Sequence, residues 1–173
     1  MEKFGKVMNS RELVLSLEKI LISSNVLIRS IENCDKELKN FCLLKGVHNN
    51  KDISIYINVR NIGSAYLPNK PYIFRRQVGK LSFDDLPLNS ENCISILAGI
   101  TLFKGKLILV CWNPFYFVGH STNRSCYVLE KSIERAMNFG LYVGEDCKTP
   151  VFICDENHFI EMIDIYMERN MVD

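Results

Sequence analysis

Two stretches of this chain bring cations, amides, hydroxyls and aromatic rings together. The first reads Arg60-Asn-Ile-Gly-Ser-Ala-Tyr-Leu-Pro-Asn-Lys-Pro-Tyr-Ile-Phe-Arg-Arg-Gln77, and the second reads Asn113-Pro-Phe-Tyr-Phe-Val-Gly-His-Ser-Thr-Asn-Arg-Ser125. A guanidinium donates two parallel bonds to guanine O6 and N7, and an Asn or Gln amide pairs with adenine in the same way. On that chemistry the candidate base readers are Arg60, Asn61, Arg75, Arg76, Gln77, Asn123 and Arg124. Lysine and hydroxyl groups suit phosphate oxygens instead. Candidates for phosphate contact or positioning are Ser64, Tyr66, Asn69, Lys70, Lys80, Tyr116, His120, Ser121 and Thr122.

The charge distribution agrees. Between Arg60 and Leu129 there are eight Lys/Arg and three acids, whereas the other residues carry thirteen positive and seventeen negative charges. A net charge of +1 therefore conceals a basic middle and an acidic remainder. From Glu130 to Asp173 there are ten acids and four bases, so that region is expected to point away from any phosphate backbone.

Catalytic constellations are missing from the sequence. No Gly-x-x-x-x-Gly-Lys-Ser/Thr loop occurs, so no nucleotide motor is expected here. Asp52 begins a strand, but no Glu-x-Lys follows to complete a nuclease metal site, and no His-x-Lys pair exists among His48, His120 and His158. Asp84-Asp85 sits in a turn-like segment, where carboxylates bond nearby backbone N–H groups. A Cys126/His120 hydrolase would lack an orienting acid. The seven cysteines contain no Cys-x-x-Cys pair of the kind zinc sites use, and Cys111, Cys126 and Cys154 lie in apolar runs that suit reduced core thiols. No cofactor is expected, and the chain is expected not to be an enzyme. With no apolar run of about 18 residues and no signal-peptide core, it is read as cytoplasmic, without a membrane partner.

The elements that must position the two stretches follow from periodicity. Asn9 and Glu12 form a capping box ahead of a stripe of Leu13, Leu17, Ile20 and Leu21, and a second helix is expected from about 26 to 41, although Val26-Leu-Ile28 also suits a strand. His48-Asn-Asn-Lys51 is turn-like, and from Ile53 to Val59 the apolar period becomes two. Strands are expected over 72–78, 93–103, 106–112, 125–129 and 151–154, with Lys104-Gly105 as a two-residue hairpin turn. Helices are expected over 130–139, ended by Gly140, and from an Asp155 cap to about Arg169, with Phe159, Ile160, Ile163 and Tyr166 facing inward. The expected organisation is a helical segment over 1–50 packed on a mostly antiparallel β domain over 51–173. The two rich stretches then connect consecutive strands, as functional loops in compact domains do.

This layout resembles the DNA-recognition pseudobarrel of plant B3-type transcription factors and of EcoRII- and BfiI-type restriction specificity domains. Asn61-Ile-Gly-Ser-Ala-Tyr-Leu-Pro-Asn69 is similar to a restriction-enzyme N-arm, and Trp112-Asn-Pro-Phe through His120 to Arg124-Ser-Cys-Tyr127 would occupy the C-arm. The glycine-rich, histidine-containing N-arm of EcoRII-type domains is not reproduced. The helix-plus-pseudobarrel arrangement also resembles the N-terminal DNA-binding domain of the McrB-like subunit of LlaJI-type restriction systems. The resemblance implies an α+β fold with an open, seven-stranded, B3-like pseudobarrel, an N-terminal helical piece and a C-terminal helix. It further implies a targeting module for double-stranded DNA, working with a motor domain and a nuclease subunit. Two other readings of the loops stand beside it: a protein-interaction or assembly surface, and single-strand binding by stacking on Tyr66, Tyr116 and Phe117.

Overall fold

The computed structural model describes residues 4–23, 27–32, 41–79, 86–90, 92–119 and 124–171. Helix α1 (Ser10–Ser23) begins at the capping box, with the Asn9 N–H on Glu12 Oε2 at 2.8 Å and the Glu12 N–H on Asn9 Oδ1 at 2.9 Å. Its stripe of Leu13, Leu17, Ile20 and Leu21 is buried.

The helix expected over 26–41 is corrected in its first part. Residues Leu27–Glu32 form strand β1, paired antiparallel with β2 (Cys42–His48), and residues 33–40 lie outside the described set. Apolar residues at helical spacing lose here to cross-strand pairing, which suits a β-branched residue such as Ile31. Strand β3 (Lys51–Asn61) follows β2 through Asn49 and Asn50, both at positive φ as a two-residue hairpin turn requires. The turn at 48–51 therefore joins two strands of one sheet, and the segment expected to be helical supplies one helix and two strands.

The remaining strands are β4 (Gly63–Ser64), β5 (Ile73–Val78), β6 (Cys93–Phe103), β7 (Lys106–Trp112), β8 (Arg124–Leu129), β9 (Leu141–Asp146) and β10 (Thr149–Asp155). Helices α2 (Glu130–Phe139) and α3 (Phe159–Asn170) complete the described elements, with a single 3₁₀ turn at Pro114–Phe117. Seven strands form an open sheet in the order β1-β2-β3-β6-β7-β10-β9, antiparallel except where β3 meets β6. Strands β4, β5 and β8 form a second, antiparallel sheet. The fold is thus α+β with a mostly antiparallel seven-stranded sheet.

The large sheet is apolar on both faces. Helices α1 and α3 pack on one face through Leu17, Ile20, Phe159 and Tyr166 against Ile55, Ile57, Ile96 and Phe152. On the other face, Phe74, Val78, Cys126 and Val128 of the small sheet, with Ile133 of α2, pack against Leu97, Val110 and Trp112. Trp112 is fully buried and donates its indole N–H to Tyr127 O at 3.2 Å, which ties β8 to the layer beneath. The small sheet is held by this apolar layer, and each fully buried large side chain contributes about 1.5–3 kcal/mol. The buried thiols of Cys111, Cys126 and Cys154 are free, whereas Cys42 is disulfide-bonded.

Helix α2 has Leu129 at its N-cap and no side-chain cap of its own. Asp146 of β9 takes that role, accepting the Leu129 N–H and the Ser132 hydroxyl, each at 2.9 Å, and placing a carboxylate at the positive helix end. Gly140 ends the helix at φ +84, and a Cβ there would run into the His158 ring. Gly140→Ala is expected to lower stability by about 2 kcal/mol or more, read as a shifted urea midpoint, because left-handed strain and the clash add.

Asp155 does not cap α3, whose N-cap is His158 with no side-chain capping bond. The carboxylate turns back instead, accepting the Asn157 N–H at 2.9 Å, pairing with His158 Nδ1 at 2.7 Å and lying 3.4 Å from Lys106 Nζ. Ile160 is only half-buried, and Met162 takes its place in the core. Burial opposes ionisation of Asp155, but His158, the Asn157 N–H and Lys106 outweigh it and hold the carboxyl below 3.8. Its stabilising effect is complete above that ordinary value and is lost as pH falls through the lowered one. Asp155→Asn is therefore expected to flatten the acid limb of a stability-versus-pH curve below about pH 4, leaving other acid-sensitive groups in place.

Candidate nucleic-acid interface

Strand β5 alternates, and its alternation divides the candidate residues. Arg75 and Gln77 face outward, while Phe74, Arg76 and Val78 face the large sheet. Arg76 is 2 % exposed. One terminal nitrogen of its guanidinium donates to Asn58 O at 2.7 Å and Ala98 O at 3.1 Å, the other to Asn58 Oδ1 at 2.7 Å, and Nε to Gln77 O at 3.1 Å. The expectation that Arg76 reads bases is thereby corrected in position: its donors are used inside the protein, clamping β5 to β3 and β6. Burial brings its pKa down to about 10; the Cys126 thiol opposes that fall and the nearby Arg60 charge adds to it. The Cys126 thiol is pushed up to about 12 by burial, with Arg76 restraining the rise.

Above this buried cation a cleft of about 530 Å³ opens between the end of β3, β4 and β5. Arg60, Ser64, Arg75 and Gln77 supply its polar groups, Val7 and Gly79 stand at its rim, and no acid is among its described lining residues. Arg75 reaches across to Ser125 Oγ at 3.4 Å. Arg124 is exposed and pairs with Val78, which puts it at the cleft end of β8.

Asn61 lines the same cleft, but its amide is engaged: Oδ1 accepts the Met8 N–H at 2.9 Å and Nδ2 donates to Met8 O at 2.7 Å. It anchors the segment before α1, which continues through the Gly5 N–H on Leu102 O at 2.8 Å and a Phe4–Phe74 ring contact at 4.2 Å. Asn61 is thus placed as a wall of the cleft.

The structure separates the other candidates from this group. The register Ile73↔Leu129 and Val78↔Arg124 puts the tip of the first stretch and Arg124 at opposite ends of the small sheet. Tyr66 and Asn69 hold that tip at positive φ, the Tyr66 N–H bonds Ser64 Oγ at 3.1 Å, and Tyr66 is 83 % exposed. Lys70 is exposed near Cys147, whose thiol is raised by burial and Asp146 and lowered by Lys70. Tyr116 stands half-exposed on the 3₁₀ turn of the second stretch. Lys80, His120, Ser121, Thr122 and Asn123, like Asp84-Asp85, lie outside the described residues.

The acidic helix α3 packs on the face of the large sheet opposite the small sheet and its cleft. Its last turn nevertheless meets the root of the second stretch, where Asn113 Nδ2 donates to Asn170 Oδ1 at 2.9 Å. Ser125 and Tyr127, which are not among the sequence candidates, share the outward face with Arg75 and Gln77. Their alternation with Cys126 and Val128 is the signal that marks them as outward. Among the described residues no cluster of three His, Cys, Asp or Glu could hold a metal ion, and no helix is long and apolar enough to cross a membrane.

An open, mostly antiparallel sheet thus carries a smaller sheet beside a cationic cleft that has no acid among its described lining residues. The chain belongs to the methylase-associated X1 family, whose model matches residues 51–161 and so includes the cleft residues from Arg60 to Gly79 and both rich stretches. No match was found among curated proteins or solved structures.

Proposed function

We propose that the protein is a double-stranded DNA-recognition module of a restriction–modification system, non-catalytic itself and serving enzymatic partners. The observation that carries this reading is the cleft, where Arg60, Arg75, Gln77 and Ser64 converge beside Arg124 with no acid among the described lining residues. Cations without acids suit phosphates, and an arginine and a glutamine two residues apart suit base edges. Membership of a methylase-associated family supports a place beside a modification enzyme. A B3-like pseudobarrel, kinship to the McrB-like subunit of LlaJI-type systems, and partnership with a motor and a nuclease belong to the same proposal. So do the loop roles: Lys70, Lys80, Ser121 and Thr122 track phosphates, and the second stretch, with Tyr116, His120 and Asn123, closes on the duplex from its side.

The test is duplex affinity measured from about 50 to 200 mM salt. A log–log slope of several counterions, with duplex preferred over single strand, is the expected result. Affinity indifferent to salt would transfer the surface to a protein partner, and preference for single strands would favour stacking on the exposed rings.

A further inference from the structure

We propose that the base-reading element is the outward face of the small sheet, a β-ribbon of β5 and β8, and not the tips of the two loops; this rests on the duplex-recognition reading above. Cross-strand register places Arg75 opposite Tyr127 and Gln77 opposite Ser125, so all four side chains share one face. The Arg75–Ser125 contact confirms the sharing directly. The opposite face of the same strands is committed to the core through Phe74, Val78, Cys126 and Val128.

The third strand leaves this face open. Strand β4 is two residues long, and Gly63 is the residue paired with Arg75. Gly63 is exposed, does not occupy the left-handed region, and would meet nothing within 4 Å if given a Cβ. Backbone conformation therefore does not demand glycine at this position; what its missing side chain provides is access to Arg75. Two strands about 4.8 Å apart, with side chains, fit a major groove about 12 Å wide. Residues two apart on a strand are about 6.8 Å apart, close to two base steps of 3.4 Å. Arg75 accordingly reads a guanine, Gln77 reads an adenine about two steps away, and Arg60 flanks them at the phosphates.

The test uses the full chain and a randomised duplex library, followed by affinity measurement on the enriched duplex. Wild type is expected to enrich a G·C and an A·T pair about two steps apart. Arg75→Ala and Gln77→Ala are each expected to weaken binding about ten- to a hundredfold and to relax one of those positions. Gly63→Leu should keep the wild-type urea midpoint and lose binding by a similar factor. Tyr66→Ala and Lys70→Ala should weaken all sequences alike and leave the motif intact. If Gly63→Leu and the two alanine variants bind and select like wild type while the loop variants lose the motif, the sheet-face assignment is overturned and duplex recognition stands. If wild type binds no duplex even at low salt, the reading beneath it fails as well.

Discussion

Arg76→Met is expected to lower the stability of the protein by about 3 kcal/mol. Methionine keeps an unbranched apolar stem about as far as Nε but withdraws the donors now given to Asn58 O, Ala98 O and Asn58 Oδ1. Leaving buried acceptors without a donor costs about 1–3 kcal/mol each. Part of that loss is offset, because the folded protein no longer keeps a cation out of water. The pKa of Arg76, brought down to about 10, points to the same desolvation. Arg76→Lys retains a charge without the planar fork and is expected to be at least as damaging. Urea unfolding reads the effect as a lower midpoint at unchanged slope. A Met variant as stable as wild type would mean that the small sheet is held by its apolar layer alone.

Reversing two charges in the cleft, Arg60→Glu with Arg75→Glu, is expected to reduce duplex affinity at least thirtyfold, since each lost contact contributes about 1–3 kcal/mol. The slope of log affinity against log salt should also fall by about 1 through the loss of the Arg60 phosphate contact, because about 0.9 counterion is released per neutralised phosphate. Both residues are half-exposed, so the fold should survive with an unfolding midpoint close to that of wild type. This combination separates a binding site from a structural patch. If the pair unfolds the protein, the cleft arginines are structural like Arg76; if affinity and slope are unchanged, DNA does not contact the cleft.

Much of this architecture is legible in the sequence where a local signal coincides with the final pairing. The Asn9/Glu12 box, the Lys104-Gly105 turn, the period of two from Ile53 and the Gly140 stop all act within a few residues, and each forms as its chemistry dictates. The helix expected over 26–41 shows the limit, because the strand at Leu27–Glu32 exists through its partner in β2. Strand β9 is missed for a related reason: Gly144, Glu145 and Asp146 read as a loop until β10 pairs with them. Candidate chemistry was legible by residue type and not by direction. In Arg75-Arg76-Gln77 the alternation of a strand sends one cation inward, and only the pairing of β5 with β8 determines which. Likewise, nothing in the run Arg60-Asn61 announces that the Asn61 amide is occupied by Met8, fifty-three residues away.

This cleft, with the sheet beside it, is proposed to recognise duplex DNA by sequence. The most direct measurement is selection from a randomised duplex library at about 150 mM salt, where nonspecific phosphate binding is already weak. Wild-type protein is expected to enrich one short motif, and the Arg60→Glu/Arg75→Glu variant none. Enrichment of no motif by the wild type, or of the same motif by both proteins, would mean that the cleft does not read duplex sequence.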